Sequence, residues 1–263
     1  DLHSFPTRRS SDLNLCRVMS LAIVTKDIVK KYDGQNVLDK VSLSVLEGDI
    51  YGLVGRNGAG KTTFMKIVCG LSSPTSGSMS ILGADPLTKG SESFSKIGSL
   101  IETPCFFPYM NATDNLMLKC ICCGIDAPDK HIKELLELVG LQNVRNKHTR
   151  DFSLGMRQRL GLAMALIGNP ELLVLDEPIN GLDPQGIAEI RSLILKINRE
   201  TGTTIVISSH ILSELSKVAT RYGILDCGKL VYENSREALE AECENKDMSF
   251  EDFYFQITQG DGR

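Results

Sequence analysis

The segment GRNGAGKT at residues 55–62 constrains the fold most, because it fits the spacing G-x-x-x-x-G-K-[ST] and follows the apolar run from Tyr51 to Val54. The spacing has a physical reason. Glycines let the backbone curl until several N–H groups face one concavity, and a helix starting near Lys61 adds the positive end of its dipole. The region therefore reads as strand, loop, helix. Gly55, Asn57, Gly58, Ala59 and Gly60 are the candidate cradle for a phosphate chain, with Thr63 at its close. Lys61 is placed to reach the β- and γ-phosphates of a nucleotide, and Thr62 to offer its hydroxyl to Mg²⁺.

Such a loop needs a carboxylate on a neighbouring strand, and the run LLVLDEP from Leu172 to Pro178 supplies two. Four apolar residues read as a strand buried on both faces. Asp176 follows at the carboxyl end of that strand, where ligands gather in open α/β sheets. Adjacent carboxylates divide labour: Asp176 is the candidate metal holder, and Glu177 the group that polarises an attacking water. Between the two motifs, DFSLGMRQRL (residues 151–160) opens a helical pattern that runs to Ile167. Ser153 carries a hydroxyl, Gly155 permits close backbone approach, and the start of a helix presents free N–H groups to an anion. His210 follows an apolar strand over residues 204–207.

The order of these motifs closely resembles the nucleotide-binding subunit of ABC transporters, over residues 21 to about 230. The motifs are the phosphate-binding loop, the Ser-x-Gly-x-x-Gln-Arg helix, the Asp-Glu strand end, Gly181-Leu-Asp183 and Ser209-His210. The resemblance implies a P-loop NTPase core of α/β class with a mainly parallel sheet, an antiparallel β subdomain and an inserted α-helical subdomain at about 103–168. It implies head-to-tail pairing with a second nucleotide-binding subunit, identical or not. In such a pair Ser153 and Gly155 of one subunit close on the nucleotide held by the other, and Asp183 couples the two sites. His210 resembles the histidine that contacts the γ-phosphate. Tyr32 resembles the aromatic that stacks on adenine, and by its neighbours it reads equally as an exposed residue of a Tyr-Asp-Gly turn.

The chain departs from the family pattern at two places. The usual Leu-Ser-Gly-Gly-Gln stands as Phe152-Ser-Leu-Gly-Met156, and Glu102 occupies the position where most members carry a glutamine that senses Mg²⁺ and faces the membrane partner. A carboxylate there still approaches the metal or accepts from water, so Glu102 is both a candidate catalytic residue and a candidate metal ligand. Glu102, the variant signature and the Asn180-Gly-Leu-Asp-Pro184 loop resemble one branch, the ATPases of bacterial exporters that protect against bacitracin or lantibiotic peptides. The resemblance implies a peripheral protein at the cytoplasmic face of the bacterial membrane, working with an integral membrane permease. A soluble ABC ATPase acting on ribosomes or DNA is the alternative, and a non-catalytic nucleotide-binding regulator is another. Residues 106–110 (Phe-Phe-Pro-Tyr-Met) read either as ordinary core or as the edge of a groove for the permease.

With 263 residues, 42% of them hydrophobic, the chain suits one sizeable α/β domain with an insert. No run approaches 18 apolar residues, the length a membrane-spanning helix needs. Residues 1–18 resemble a translated sequencing adapter followed by upstream sequence, so they are expected to be non-native and disordered, with Met19 as the start. Without them, and so without Arg8, Arg9, Arg17, Asp1 and Asp12, the formal charge moves from −4 to about −5. Neither value points to a nucleic-acid partner. Eight cysteines in a nucleotide-hydrolysing domain are expected to be free thiols, and Cys120, Cys122 and Cys123 to pack within a helix. The ATPase domain is expected over residues 19–232, followed by a short extension over 233–263 that is charged, then aromatic.

Overall fold

The computed structural model describes residues 20–88, 92–144 and 146–259, so the expected non-native leader lies outside the described residues. Strands β1 (Leu21–Tyr32) and β2 (Gln35–Val41) form an antiparallel hairpin. Its turn residues Asp33 and Gly34 both have positive φ, 49° and 81°, the handedness that matches the twist of the flanking strands. β3 (Ser44–Leu46) pairs antiparallel with β1 as well. β4 (Ile50–Val54) feeds the glycine-rich loop and α1 (Lys61–Val68), after which β5 (Ser76–Ile81) returns to the other side of β1. β1, β2, β3 and β5 form a four-stranded antiparallel sheet.

β6 (Ile97–Leu100) leads into three helices, α2 (Ala112–Cys122), α3 (Asp129–Leu138) and α4 (Leu154–Ala165). The chain then continues through β7 (Leu172–Leu175), α5 (Pro184–Thr201), β8 (Thr204–Ser209), the single turn α6 (Leu212–Leu215) and the hairpin β9 (Arg221–Asp226) with β10 (Lys229–Ser235). It closes with α7 (Arg236–Asn245) and α8 (Phe250–Gln259). The second sheet has the order β10-β9-β4-β8-β7-β6, parallel throughout except for the β9–β10 hairpin. Both faces of this sheet are covered. Tyr51 and Leu53 of β4, with Leu172 and Val174 of β7, pack in one apolar layer against Phe64, Met65 and Ile67 of α1. Their neighbours Ile50, Val54, Leu173 and Leu175 face the opposite layer, which also holds the helical insert and α5. Continuous apolar runs are what a parallel strand buried on two faces requires.

Several local expectations are corrected. Val41 to Val45 reads as one apolar strand, but it is divided between β2 and β3, because residues 42–43 leave the ladder with β1. Asp129 does not cap α3. It lies in the first turn, where its charge complements the helix dipole, and Pro128 holds the cap position. Asn111 caps α2 by accepting from the Asp114 N–H at 2.9 Å. In the cysteine group, Cys120 is buried while Cys122 and Cys123 are exposed, so helical packing accounts for one of the three. The tail expected only as a charged, then aromatic segment forms α7 and α8. Phe253 and Phe250 anchor α8 edge-to-face on Tyr232 and Tyr222, each with ring centroids 5.1 Å apart.

The seven described cysteines are free, and they differ in environment. Burial pushes the Cys69 thiol up to about 12, while Cys105, Cys122, Cys123 and Cys227 are exposed. Only the thiolate alkylates. Iodoacetamide at pH 8 on the native protein is therefore expected to modify those four before Cys69, Cys120 and Cys243. Peptide mass mapping checks the order, and early labelling of Cys69 would contradict the packing of α1.

Candidate functional site

The parallel strands bring three separate chain segments to one edge of the sheet. β4 delivers the loop, β7 ends at Asp176, and β8 lies between them in register with both. Two glycines have specific work in the loop. Gly60 sits at φ 107°, a left-handed conformation that opens α1, and a Cβ on Gly55 would lie 2.4 Å from the Leu225 carbonyl oxygen. The loop is thus seated directly on β9 backbone. Asn57 and Gly58 are exposed, Ala59 and Gly60 are buried, and Thr62 and Thr63 are half-buried at the start of α1.

Lys61 is 6% exposed and folds back into the loop, donating to the Gly55 carbonyl at 2.6 Å. Its ammonium also lies 3.3 Å from Glu177 Oε1. Thr62 Oγ1 donates to Asp176 Oδ2 at 2.7 Å, and Ser208 Oγ donates to Asp176 Oδ1 at 2.6 Å. Glu177 takes a left-handed backbone, φ 49°, costly for a residue with a side chain. Its N–H donates to Ser208 Oγ at 2.9 Å, and His210 Nδ1 donates to Glu177 Oε2 at 2.8 Å. A lysine, a threonine, two carboxylates, a serine and a histidine from three chain segments therefore form one bonded cluster. Of these, Ser208 and the Lys61–Glu177 ion pair were not expected from the sequence.

Glu102 stands apart from that cluster. It has φ 59° and bonds Lys66 Nζ at 2.6 Å, and this bond holds the Lys66 ammonium above the usual lysine range. In this arrangement Glu102 pairs with a lysine rather than with Thr62 or Asp176. It nonetheless lines, together with Asp176, Glu177, Gln158 and Asn180, a cleft of about 580 Å³ between the sheet edge and the helical insert. Tyr32 is exposed at the end of the β1–β2 hairpin, with Lys30 Nζ 4.9 Å from its ring centroid.

Ser153, Gly155 and Asp183 gather at a second, exposed place. Ser153 caps α4 by accepting from the Met156 N–H at 3.3 Å, and Asp183 caps α5 by accepting from the Gly186 N–H at 2.8 Å. The two helix starts touch: a Cβ on Gly155 would meet Leu182, and one on Gly181 would meet Leu154. The arrangement leaves the Ser153 hydroxyl and the first turn of α4 facing outward.

A family model described as ABC transporter matches residues 38–180, from β2 through the Asp-Glu strand end. The chain belongs to the ABC transporter ATP-binding family. As an ABC ATPase it binds nucleotide, and its hydrolysis is coupled to transport. It is 47% identical over 215 residues to a bacitracin transport ATP-binding protein of Bacillus licheniformis, covering 82% of this chain and 70% of that one. It is 41% identical over 228 residues to a lantibiotic transport ATP-binding protein of Streptococcus pyogenes, covering 86% and 97%. Among solved structures, an ATP-binding subunit of an ABC transporter superposes with a TM-score of 0.79 at 26% identity, covering 90% of this chain and 99% of that one. An ATP-binding cassette in a dimeric post-hydrolysis state with ADP and Pi gives 0.74 at 26% identity, covering 81% and 98%. The ABC ATPase fold is thus established for this chain, with the bonded cluster at its glycine-rich loop.

Proposed function

We propose that this ABC ATPase powers export of antimicrobial peptides of the bacitracin or lantibiotic class, seated on a permease at the cytoplasmic face of the bacterial membrane. The observation that carries the reading is the 47% identity to a bacitracin transport ATP-binding protein, together with the bonded cluster of Lys61, Thr62, Asp176, Glu177 and His210. The donor set fits Mg²⁺: a hydroxyl and a carboxylate oxygen meet at 2.7 Å, hard ligands for a hard cation. When bound, Mg²⁺ would be held by Thr62 and Asp176 and would offset the charge of the phosphates.

The residues have separate tasks. Lys61 leaves Glu177 for the phosphates, and the backbone N–H groups of residues 58–62 hold the same oxygens. Glu177 takes the proton of the attacking water, and His210 fixes its carboxylate. Ser153 and Gly155 of a second subunit close over the γ-phosphate with the exposed start of α4, and Asp183 joins the two sites. Tyr32 faces the adenine. Glu102 and the exposed aromatics Phe107 and Tyr109, 56% and 71% exposed, meet the permease. Exposed aromatic area beside the cleft supports that docking face.

The test is ATP hydrolysis by this chain reconstituted in liposomes with its cognate permease. Stimulation by bacitracin or a lantibiotic, and not by an unrelated amphipathic peptide, is the expected result. Turnover indifferent to every such peptide would overturn the cargo assignment.

A further inference from the structure

We infer that Ser208 is a positioning residue for ATP hydrolysis, fixing the metal-holding carboxylate of Asp176 and the backbone of Glu177 through a single hydroxyl. The inference rests on the reading of Asp176 as the Mg²⁺ holder. Ser208 is fully buried. Its position follows from strand register. Leu175 pairs with Ile207 across the parallel β7–β8 ladder, so the next residues, Asp176 just past β7 and Ser208 still within β8, stand side by side. The Ser208 hydroxyl then acts in both directions, donating to Asp176 Oδ1 at 2.6 Å and accepting the Glu177 N–H at 2.9 Å.

The second bond matters because Glu177 sits at φ 49°, where a non-glycine residue stays only if its surroundings hold it. The first matters because the two oxygens of Asp176 are held differently. Oδ2 accepts from Thr62, itself a proposed metal ligand, so that bond competes with metal binding. The Ser208 bond lies on the other oxygen and does not compete. It is the donor that stays while Thr62 turns. Removing it at this fully buried position leaves a carboxylate oxygen and a backbone N–H without their partner.

The experiment uses the purified chain and a fluorescent ATP analogue, titrated with Mg²⁺ and, separately, in EDTA. Ser208→Ala is expected to raise the half-saturating Mg²⁺ concentration for binding by about tenfold, with affinity in EDTA changed by less than about twofold. Ser208→Thr keeps the hydroxyl and is expected to restore the Mg²⁺ response. Ser208→Cys has nearly the same volume and a weak donor, so it separates hydrogen bonding from packing and serves in place of Ser208→Ala should that variant not fold. A cysteine variant that behaves like alanine supports the inference. An unchanged Mg²⁺ requirement in either variant, or equal loss of affinity with and without metal, overturns it. A parent chain whose nucleotide binding ignores Mg²⁺ would overturn the metal reading itself, a result distinct from a responsive parent with an unaffected variant.

Discussion

Replacing Glu177 by Gln is expected to lower ATP hydrolysis by about 100- to 1,000-fold while ATP binding persists, the range a positioned general base supplies. Glutamine keeps the length and planarity of the side chain, so the strand end and its left-handed turn can survive. What it loses is a basic oxygen. His210 Nδ1 donates to Oε2 at 2.8 Å, which orients the carboxylate and leaves Oε1 facing Lys61 at 3.3 Å. In the variant the ion pair disappears, and the Lys61 ammonium is freed for phosphate. ATP affinity should therefore hold or tighten. Without hydrolysis to reopen it, a pair of chains closed around ATP accumulates, and light scattering should report a doubled mass that depends on ATP. Turnover above about a tenth of the parent would remove Glu177 as the proton acceptor. Loss of ATP binding would instead mean that the Lys61–Glu177 pair organises the loop.

The same cluster shows how far a sequence can be read and where reading stops. The glycine-rich loop, Asp176 and Glu177 announce themselves through local spacing, because each motif is set by the chemistry of one turn or one strand end, whereas His210 is legible only through the resemblance of the motif order. β7 was expected over residues 172–175 and is observed with those bounds, since four apolar residues between the carboxylates of Glu171 and Asp176 leave little freedom. Ser208 gives no such signal. A serine at the end of an apolar strand is unremarkable until strand register sets it beside Asp176, a residue 32 positions away. The split of β2 from β3 was missed for a related reason: Val41 and Val45 suit one continuous strand, and what parts them is where each pairs along β1. The closing helices were missed because α7 buries only Leu239 and Cys243, one helical turn apart, in an otherwise charged segment. Its start, capped by Ser235 at 3.3 Å from the Ala238 N–H, was the available clue.

Substituting Gly98 by Ala is expected to lower the thermal midpoint by about 6 to 12 °C, the equivalent of roughly 3 kcal/mol of overpacking in a chain of this size. Gly98 lies in β6, paired with Leu173, and the last turn of α4 presses on it from above. An added Cβ would sit 2.0 Å from the Ala165 carbonyl oxygen and 2.9 Å from Pro170 Cγ, distances that real Cβ atoms do not adopt. Backbone cannot swing aside as a side chain does, so α4 must lift from the strand. Gly161 provides the contrast. It lies within α4, and its added Cβ would meet Leu100 Cδ1 at 2.8 Å and the Pro104 ring at 3.0 Å, side-chain atoms that yield more readily than a backbone carbonyl. A helix also gains up to about 1 kcal/mol from Gly to Ala, which offsets part of that contact and keeps the expected shift within about 3 °C. Scanning calorimetry on the two variants makes the comparison. A large loss confined to Gly98→Ala would establish that α4 is held by backbone contact with β6. Because Gln158 of α4 and Glu102 beyond β6 line one cleft with Glu177, that contact also sets the width of the site. Equal small shifts in both variants would mean that α4 is free to slide, and that the cleft is not set by its fit to the sheet.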